Sequence, residues 1–141
     1  MQRPCASIWW RWRLRWRPWR PCVPVSVADL EADTVRLWAL AHGLQLAAQN
    51  VIDVASHLAS ALRSGAAPAD YRGAILALGE IGVLDDRFAR TLAPLAGLRN
   101  VLVHAYLHLE ADRLLEAVRK LDDFRRFVTG VRAFLARNPG L

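Results

Sequence analysis

Apolar residues recur at helical spacing along most of this chain, and the pattern predicts helices joined by short breaks. Val35, Leu37, Leu40, Leu44, Ala47, Ala48, Val51, Val54, Ala55, Leu58 and Leu62 fall on one periodic stripe from Thr34 to about Arg63. Asp33 stands where an N-cap is needed and Ser64-Gly65 where the helix must stop. A shorter helix is predicted over Asp70 to Ile81, with Tyr71, Ile75, Leu78 and Ile81 inward and Gly82 ending it. Asp85 or Asp86 caps the next, which turns Phe88, Leu92 and Leu95 inward. Pro94 and Gly97 predict a kink or break, so a further helix begins near Leu95. Leu109 to Ala111 reads as a connection, and Asp112 to Leu135 as a last helix carrying Leu115, Val118, Leu121, Phe124, Val128, Val131 and Leu135. No strand pattern and no internal repeat competes. The fold class is all-α, a bundle of about four helices with an irregular N-terminal segment.

Length and composition agree. A chain of 141 residues with 54% hydrophobic content holds one core rather than two. No apolar run reaches the length of a membrane span, so no membrane partner is expected. The segment 1–26 reads as a Trp/Arg/Pro-rich irregular piece and 27–141 as the helical domain. Residues 1–25 hold six of the 19 basic residues, five of the six tryptophans and no acid. The rest of the chain is formally neutral, with 13 basic against 13 acidic residues. A neutral body does not announce a broad nucleic-acid surface there, and any RNA contact would have to be local.

The N-terminal island can be read in two ways. Interleaved Trp and Arg suit an arm that stacks on bases or lies on a membrane surface while touching phosphates. The same composition arises when GC-rich DNA upstream of the natural start is translated. The bias is compositional and shows no helical face, which favours the second reading. Cys5 and Cys22 both lie in this segment and are expected as free thiols in a reducing cytosol. Its Trp/Arg alternation leaves no apolar stretch for a signal peptide, and the location expected is cytoplasmic.

The chemistry concentrates in Arg99-Asn100-Val101-Leu102-Val103-His104-Ala105-Tyr106. Arg presents a planar donor fork suited to phosphate oxygens, and His is the side chain that ordinarily exchanges a proton near neutral pH. Together they suit phosphodiester chemistry. On an ideal helix Arg99 and His104 stand about 140° apart around the axis, so they do not share a face. Asn100 and His104 do share one, as do Arg99 and Tyr106. Aiming Arg99 and His104 at one phosphate therefore needs the long Arg stem, a local distortion or a second copy, and a two-fold dimer supplies the copy. The plainer alternative is an Arg that caps a neighbouring helix and a His satisfied in the core.

Two other pairs carry weaker signals. Asp53 and His57 are spaced for a carboxylate to orient an imidazole, or for an ordinary surface pair. His104 and His108 have the spacing of two metal ligands on a helix, but Ala105 stands where a zinc-hydrolase motif has Glu and no third ligand is evident. No metal and no cofactor is expected.

The stretch RNVLVHAY also resembles the Arg-x4-His-x-Tyr signature of HepT-like toxins in the HEPN ribonuclease superfamily. The blocks Ile52 to Leu58, Pro68 to Leu84 and Leu92 to Tyr106 are similar to successive blocks of that family, and the resemblance covers residues 33 to 136. It implies a HEPN-like helical bundle that dimerises with Arg99 and His104 in a shared cleft. It implies the toxin of a toxin–antitoxin system, a metal-independent RNA endonuclease directed at tRNA. Arg99 and His104 would be catalytic there, with Asn100 and Asp53 orienting the base or the phosphate. It further implies a partner, a nucleotidyltransferase antitoxin of the MntA type, that adenylylates Tyr106. The alternative is a non-catalytic or remnant helical module that binds a nucleotide or a partner. The chain departs from the family pattern before Asp33, where a further helix is usual and the Trp/Arg/Pro island stands instead.

Overall fold

The computed structural model describes residues 26–63, 68–104 and 110–140. The basic N-terminal segment with Cys5 and Cys22, the Ser64-Gly65 break, and Tyr106 with His108 lie outside the described residues. Those described form seven helices and no strand, an all-α arrangement. They are α1 (Val27–Glu31), α2 (Thr34–Leu62), α3 (Tyr71–Glu80), α4 (Asp86–Leu92), α5 (Leu95–His104), α6 (Ala111–Arg119) and α7 (Leu121–Arg137).

Acidic and hydroxyl caps set the starts. Asp33 accepts the Arg36 amide at 3.0 Å, Asp70 that of Gly73 at 2.6 Å and Asp85 that of Phe88 at 3.0 Å. Each satisfies an amide that the first turn leaves without a partner. Asp85, not Asp86, is therefore the cap of α4. Ser26 and Asp29 form a reciprocal capping box that starts α1. This five-residue helix was not evident from periodicity, being too short to show a repeat, yet its Leu30 is fully buried.

Gly82 ends α3 with a φ of 82°. The Val83 amide reaches back to the Leu78 carbonyl at 2.9 Å and the Gly82 amide to Gly79 at 3.1 Å. That double bond is the Schellman closure, which needs the left-handed conformation that glycine adopts without strain. A side chain at Gly79 would stand 3.0 Å from both Ala89 Cβ and Asp86 Cα, so its absence lets α4 pack directly on α3.

Helix α2 is the frame. Its 29 residues span about 43 Å, and its inward stripe serves two apolar cores. Val51, Ile52, Ala55 and Leu58 pack with α3, α4 and the Phe124–Val131 face of α7. Leu40, Ala41 and Leu44 pack with α1, Leu102 of α5 and the apolar face of α6.

The single last helix expected from Asp112 to Leu135 is broken at Lys120 into α6 and α7. The apolar stripe explains the break. The mean direction of Leu114, Leu115 and Val118 lies about 150° around the axis from that of Phe124, Phe127 and Val131. The first set belongs to one core and the second to the other. A straight helix cannot present both, so the chain redirects at Lys120, which carries φ −91° and ψ 11°.

Candidate active site around Arg99 and His104

Pro94 lacks an amide and cannot extend α4, but its carbonyl accepts the Gly97 and Leu98 amides and so starts α5. The expected break thus falls before Leu95, and Gly97 lies inside the helix. Helix α5 then runs without interruption through His104. Arg99 and His104 keep their separation around the axis. Leu95, Ala96 and Leu102 are buried against the bundle, and Arg99 lies half-buried at the edge of that face. Gly97, Asn100, Val101 and His104 are exposed on the other side.

Arg99 is held by neutral groups. Its Nε donates to Gln49 Oε1 on α2 at 2.7 Å, and its Nη1 donates to Asn100 Oδ1 at 3.3 Å. Its guanidinium carbon stands 5.8 Å from the centroid of the Tyr71 ring at the start of α3. It makes no ion pair among the described residues. The remaining Nη1 and Nη2 hydrogens form the end-on edge of the fork, the edge that pairs with two oxygens of one phosphate.

Gln49 is itself fixed. Its Nε2 donates to Asp53 Oδ1 at 2.7 Å, one turn further along α2. A carboxylate only accepts and a guanidinium only donates. A primary amide is the group that bridges them, nitrogen toward Asp53 and oxygen toward Arg99. The relay orients Arg99 through the carboxylate while keeping the negative charge one side chain away. Asp53 thus meets Gln49 rather than His57, its alternative partner from helical spacing, and both Asp53 and His57 are exposed.

The described structure therefore brings Asp53, Arg99 and Asn100 into one bonded network and leaves His104 on the same exposed strip as Asn100. Arg99 and His104 of one chain are not turned to a common point by α5. Tyr106 lies outside the described residues. Among the described residues no group of three or more His, Cys, Asp or Glu side chains is placed to hold a metal. None of the described helices is long and apolar enough to cross a membrane.

Two participants escape the sequence. Gln49 carries no charge and lies in a run of small and apolar residues; only its position one turn before Asp53 hints at a role. Tyr71 belongs to the expected inward face of α3 but is 43% exposed, whereas Ile75 and Leu78 on that face are fully buried. As the first residue of α3, Tyr71 projects past the end of the core, where periodicity has no neighbour to pack it against.

Comparison with known proteins places this arrangement. Over 93 residues the chain is 32% identical to a protein named tRNA nuclease HepT from Aphanizomenon flos-aquae, covering 65% of this chain and 63% of that one. Over 91 residues it is 29% identical to an mRNA nuclease HepT from Shewanella oneidensis, covering 64% of this chain and 68% of the relative. The match thus spans about two thirds of these curated relatives. The profile of the family described as Ribonuclease HepT-like matches residues 20–131, which takes in every helix from α1 to α6, the bonded network and His104. The chain belongs to the HepT-like ribonuclease family.

Proposed function

We propose that this chain is the ribonuclease toxin of a toxin–antitoxin pair, cutting RNA without a metal. The observation that carries the reading is the Arg99 guanidinium: half-buried, oriented by Gln49 and Asn100, and left with its positive charge uncancelled. Such a group is built to receive an anion. RNA supplies both that anion and its own nucleophile, the 2′-OH. His104 takes the 2′-OH proton and the oxygen attacks the adjacent phosphorus. Arg99 stabilises the charge that gathers on the phosphoryl oxygens. The P–O5′ bond breaks, a protonated imidazole returns a proton to the leaving oxygen, and the product ends in a 2′,3′-cyclic phosphate. Acid–base help of this kind is worth about 10²–10⁴ in rate.

A homodimer completes the site. Arg99 and His104 diverge around α5, and Val101, 43% exposed beside Asn100 and His104, gives that strip an apolar member. Two such strips across a two-fold axis set the His104 of one copy toward the Arg99 of the other. Asn100 and the Asp53–Gln49 relay position the groups. The names of the relatives favour RNA as the substrate class, with tRNA the first to test. A cognate nucleotidyltransferase adenylylates Tyr106, adding bulk and phosphate charge seven residues beyond Arg99 in the sequence and shutting the site.

The test is incubation of the purified chain with total tRNA, with and without EDTA, and analysis of the product ends. Cyclic phosphate ends that survive EDTA and vanish in Arg99→Ala and His104→Ala support the reading. Intact RNA, or cleavage unchanged in both variants, removes it. Light scattering decides the dimer, and a strict monomer at micromolar concentration counts against it. Intact mass after co-expression with the cognate nucleotidyltransferase decides the modification, which Tyr106→Phe should escape.

A further inference from the structure

Tyr71 is an exposed aromatic beside a group proposed to hold phosphate, and packing alone does not account for it. Its helix is capped by Asp70, its inward neighbours Ile75 and Leu78 are already fully buried, and it contributes no buried surface of that kind itself. Arg99 does not need the ring for orientation, since Gln49 and Asn100 already hold two of its nitrogens. What the ring offers is a π-face next to a cation.

We infer that Tyr71 is the floor of a nucleobase subsite, on which the base adjoining the Arg99-bound phosphate stacks. The inference rests on the reading of Arg99 as the phosphate ligand. One ring face looks toward the guanidinium at 5.8 Å. A base inserted between them would need about 3.4 Å on each side, more than that gap provides. The base therefore stacks on the outer face, which accounts for the exposure the ring keeps. A base is joined to its neighbouring phosphate through one ribose, a reach comparable to the spacing between ring and guanidinium. Arg72 follows Tyr71 on the exposed side of α3 and makes no ion pair among the described residues, while the Asp70 carboxylate on the other flank is engaged in capping the Gly73 amide. Stacking reads a π-face rather than a hydrogen-bond pattern, so the subsite accepts any base and favours the larger purines.

The test uses the full chain and DNA oligonucleotides carrying 2-aminopurine at successive positions. DNA lacks the 2′-OH and is not cut, so binding is separated from chemistry. Elevated salt suppresses phosphate contacts from the Arg-rich segment. Anisotropy of a terminal dye reports binding, and quenching of 2-aminopurine reports stacking. Quenching is expected at saturation for the wild type and for Tyr71→Phe and Tyr71→Trp. Tyr71→Leu should lose it and bind about 5- to 100-fold more weakly. On RNA the same variant should raise KM with kcat nearly unchanged, the mark of lost ground-state binding. Tyr71→Gln is the second variant if Leu disturbs helical content. Quenching that survives both variants, or a loss confined to kcat, makes Tyr71 a packing partner of Arg99 and overturns the subsite while leaving the phosphate reading intact. Cleavage by Arg99→Ala at the wild-type rate removes the phosphate reading instead.

Discussion

The cations of α6 and α7 and the cation of α5 are treated differently by the same fold. Along α6 and α7 four basic groups are matched by acids one turn away: Arg113 with Glu110, Lys120 with Glu116, Arg125 with Asp122 and Arg126 with Asp123. These pairs are exposed, so water and salt screen them and each adds little to stability. Arg99 is more buried than any of them and is given no acid at all. Removing a cation from water without an opposing charge is costly, and neutral amides replace only part of the lost solvation. The contrast is one of setting: an exposed cation such as Arg119 or Arg132 keeps its hydration without an acid among the described residues, whereas Arg99 is half-buried and has none, which suits the proposed role of receiving an anion.

The largest expected effect breaks the contrast at its centre. Arg99→Ala and His104→Ala should each lower RNA cleavage by about 10²–10⁴, as loss of a charge stabiliser or a proton carrier does, with helical content by circular dichroism unchanged. Arg99→Lys should not rescue, because an ammonium lacks the planar fork. Arg125→Ala on α7 is the control and should cut at the wild-type rate. Equal losses at positions 99 and 125 would mean that total charge matters and the special placement of Arg99 does not.

A second substitution makes Arg99 resemble its counterparts on α7. Gln49→Glu sets a carboxylate at the 2.7 Å contact with Arg99 Nε and turns a neutral hold into an ion pair. It also faces the Asp53 carboxylate that Gln49 Nε2 now satisfies. Affinity for a non-cleavable RNA analogue should fall about 10-fold or more, a change of about 1.4 kcal/mol, with kcat falling too. Gln49→Leu frees Arg99 without cancelling its charge, so kcat should fall more than affinity. A Glu variant that binds as tightly as wild type would show that the charge of Arg99 is not what the site uses.

These two regions also differ in how far the sequence revealed them. Caps and stops are local chemistry, so Asp33, Gly82 and the choice between Asp85 and Asp86 were legible from single residues, whereas Asp70, expected as the first helical residue, is the cap before it. The helical span of α2 was legible from period alone. The Arg99–His104 divergence followed from helical geometry and stands in the uninterrupted α5. The break at Lys120 was not foreseen, although the rotation of the apolar stripe was in the sequence, because seeing it requires knowing that two cores exist. Gln49 was invisible for a stronger reason. Its role depends on which turn of α2 lies against Arg99, 50 residues away, and no local pattern encodes that pairing.

A smaller effect tests the local part of that legibility. Gly82→Ala forces a left-handed φ on a side chain with nothing near it. The cost is backbone strain alone, about 1 kcal/mol. A fall of a few degrees in Tm is expected, with cleavage unaffected, since Tyr71 stands at the opposite end of α3, which Asp70 caps independently of this closure. An unchanged Tm would mean that the turn relaxes to another closure.

The smallest effect lies in the paired cations themselves. The Lys120 ammonium, hydrogen-bonded at 3.0 Å, holds the Glu116 carboxyl below the usual carboxylate range. A carboxyl whose pKa is lowered on folding stabilises the fold at pH above its ordinary range and loses that contribution as pH falls through the lowered value. Both groups are well exposed, so salt screens the pair. Glu116→Gln should therefore lower Tm slightly at neutral pH and low salt. The difference from wild type should disappear at acidic pH, and also in about 1 M salt, where screening acts within roughly 3 Å. RNA cleavage by this variant should match wild type at every salt concentration. RNA affinity should itself decline with salt in both proteins, because counterions compete for the phosphate that Arg99 is proposed to hold. If Glu116→Gln altered cleavage, the α6 surface would belong to the substrate path, and the contrast between the paired cations and Arg99 would have to be redrawn to include Lys120.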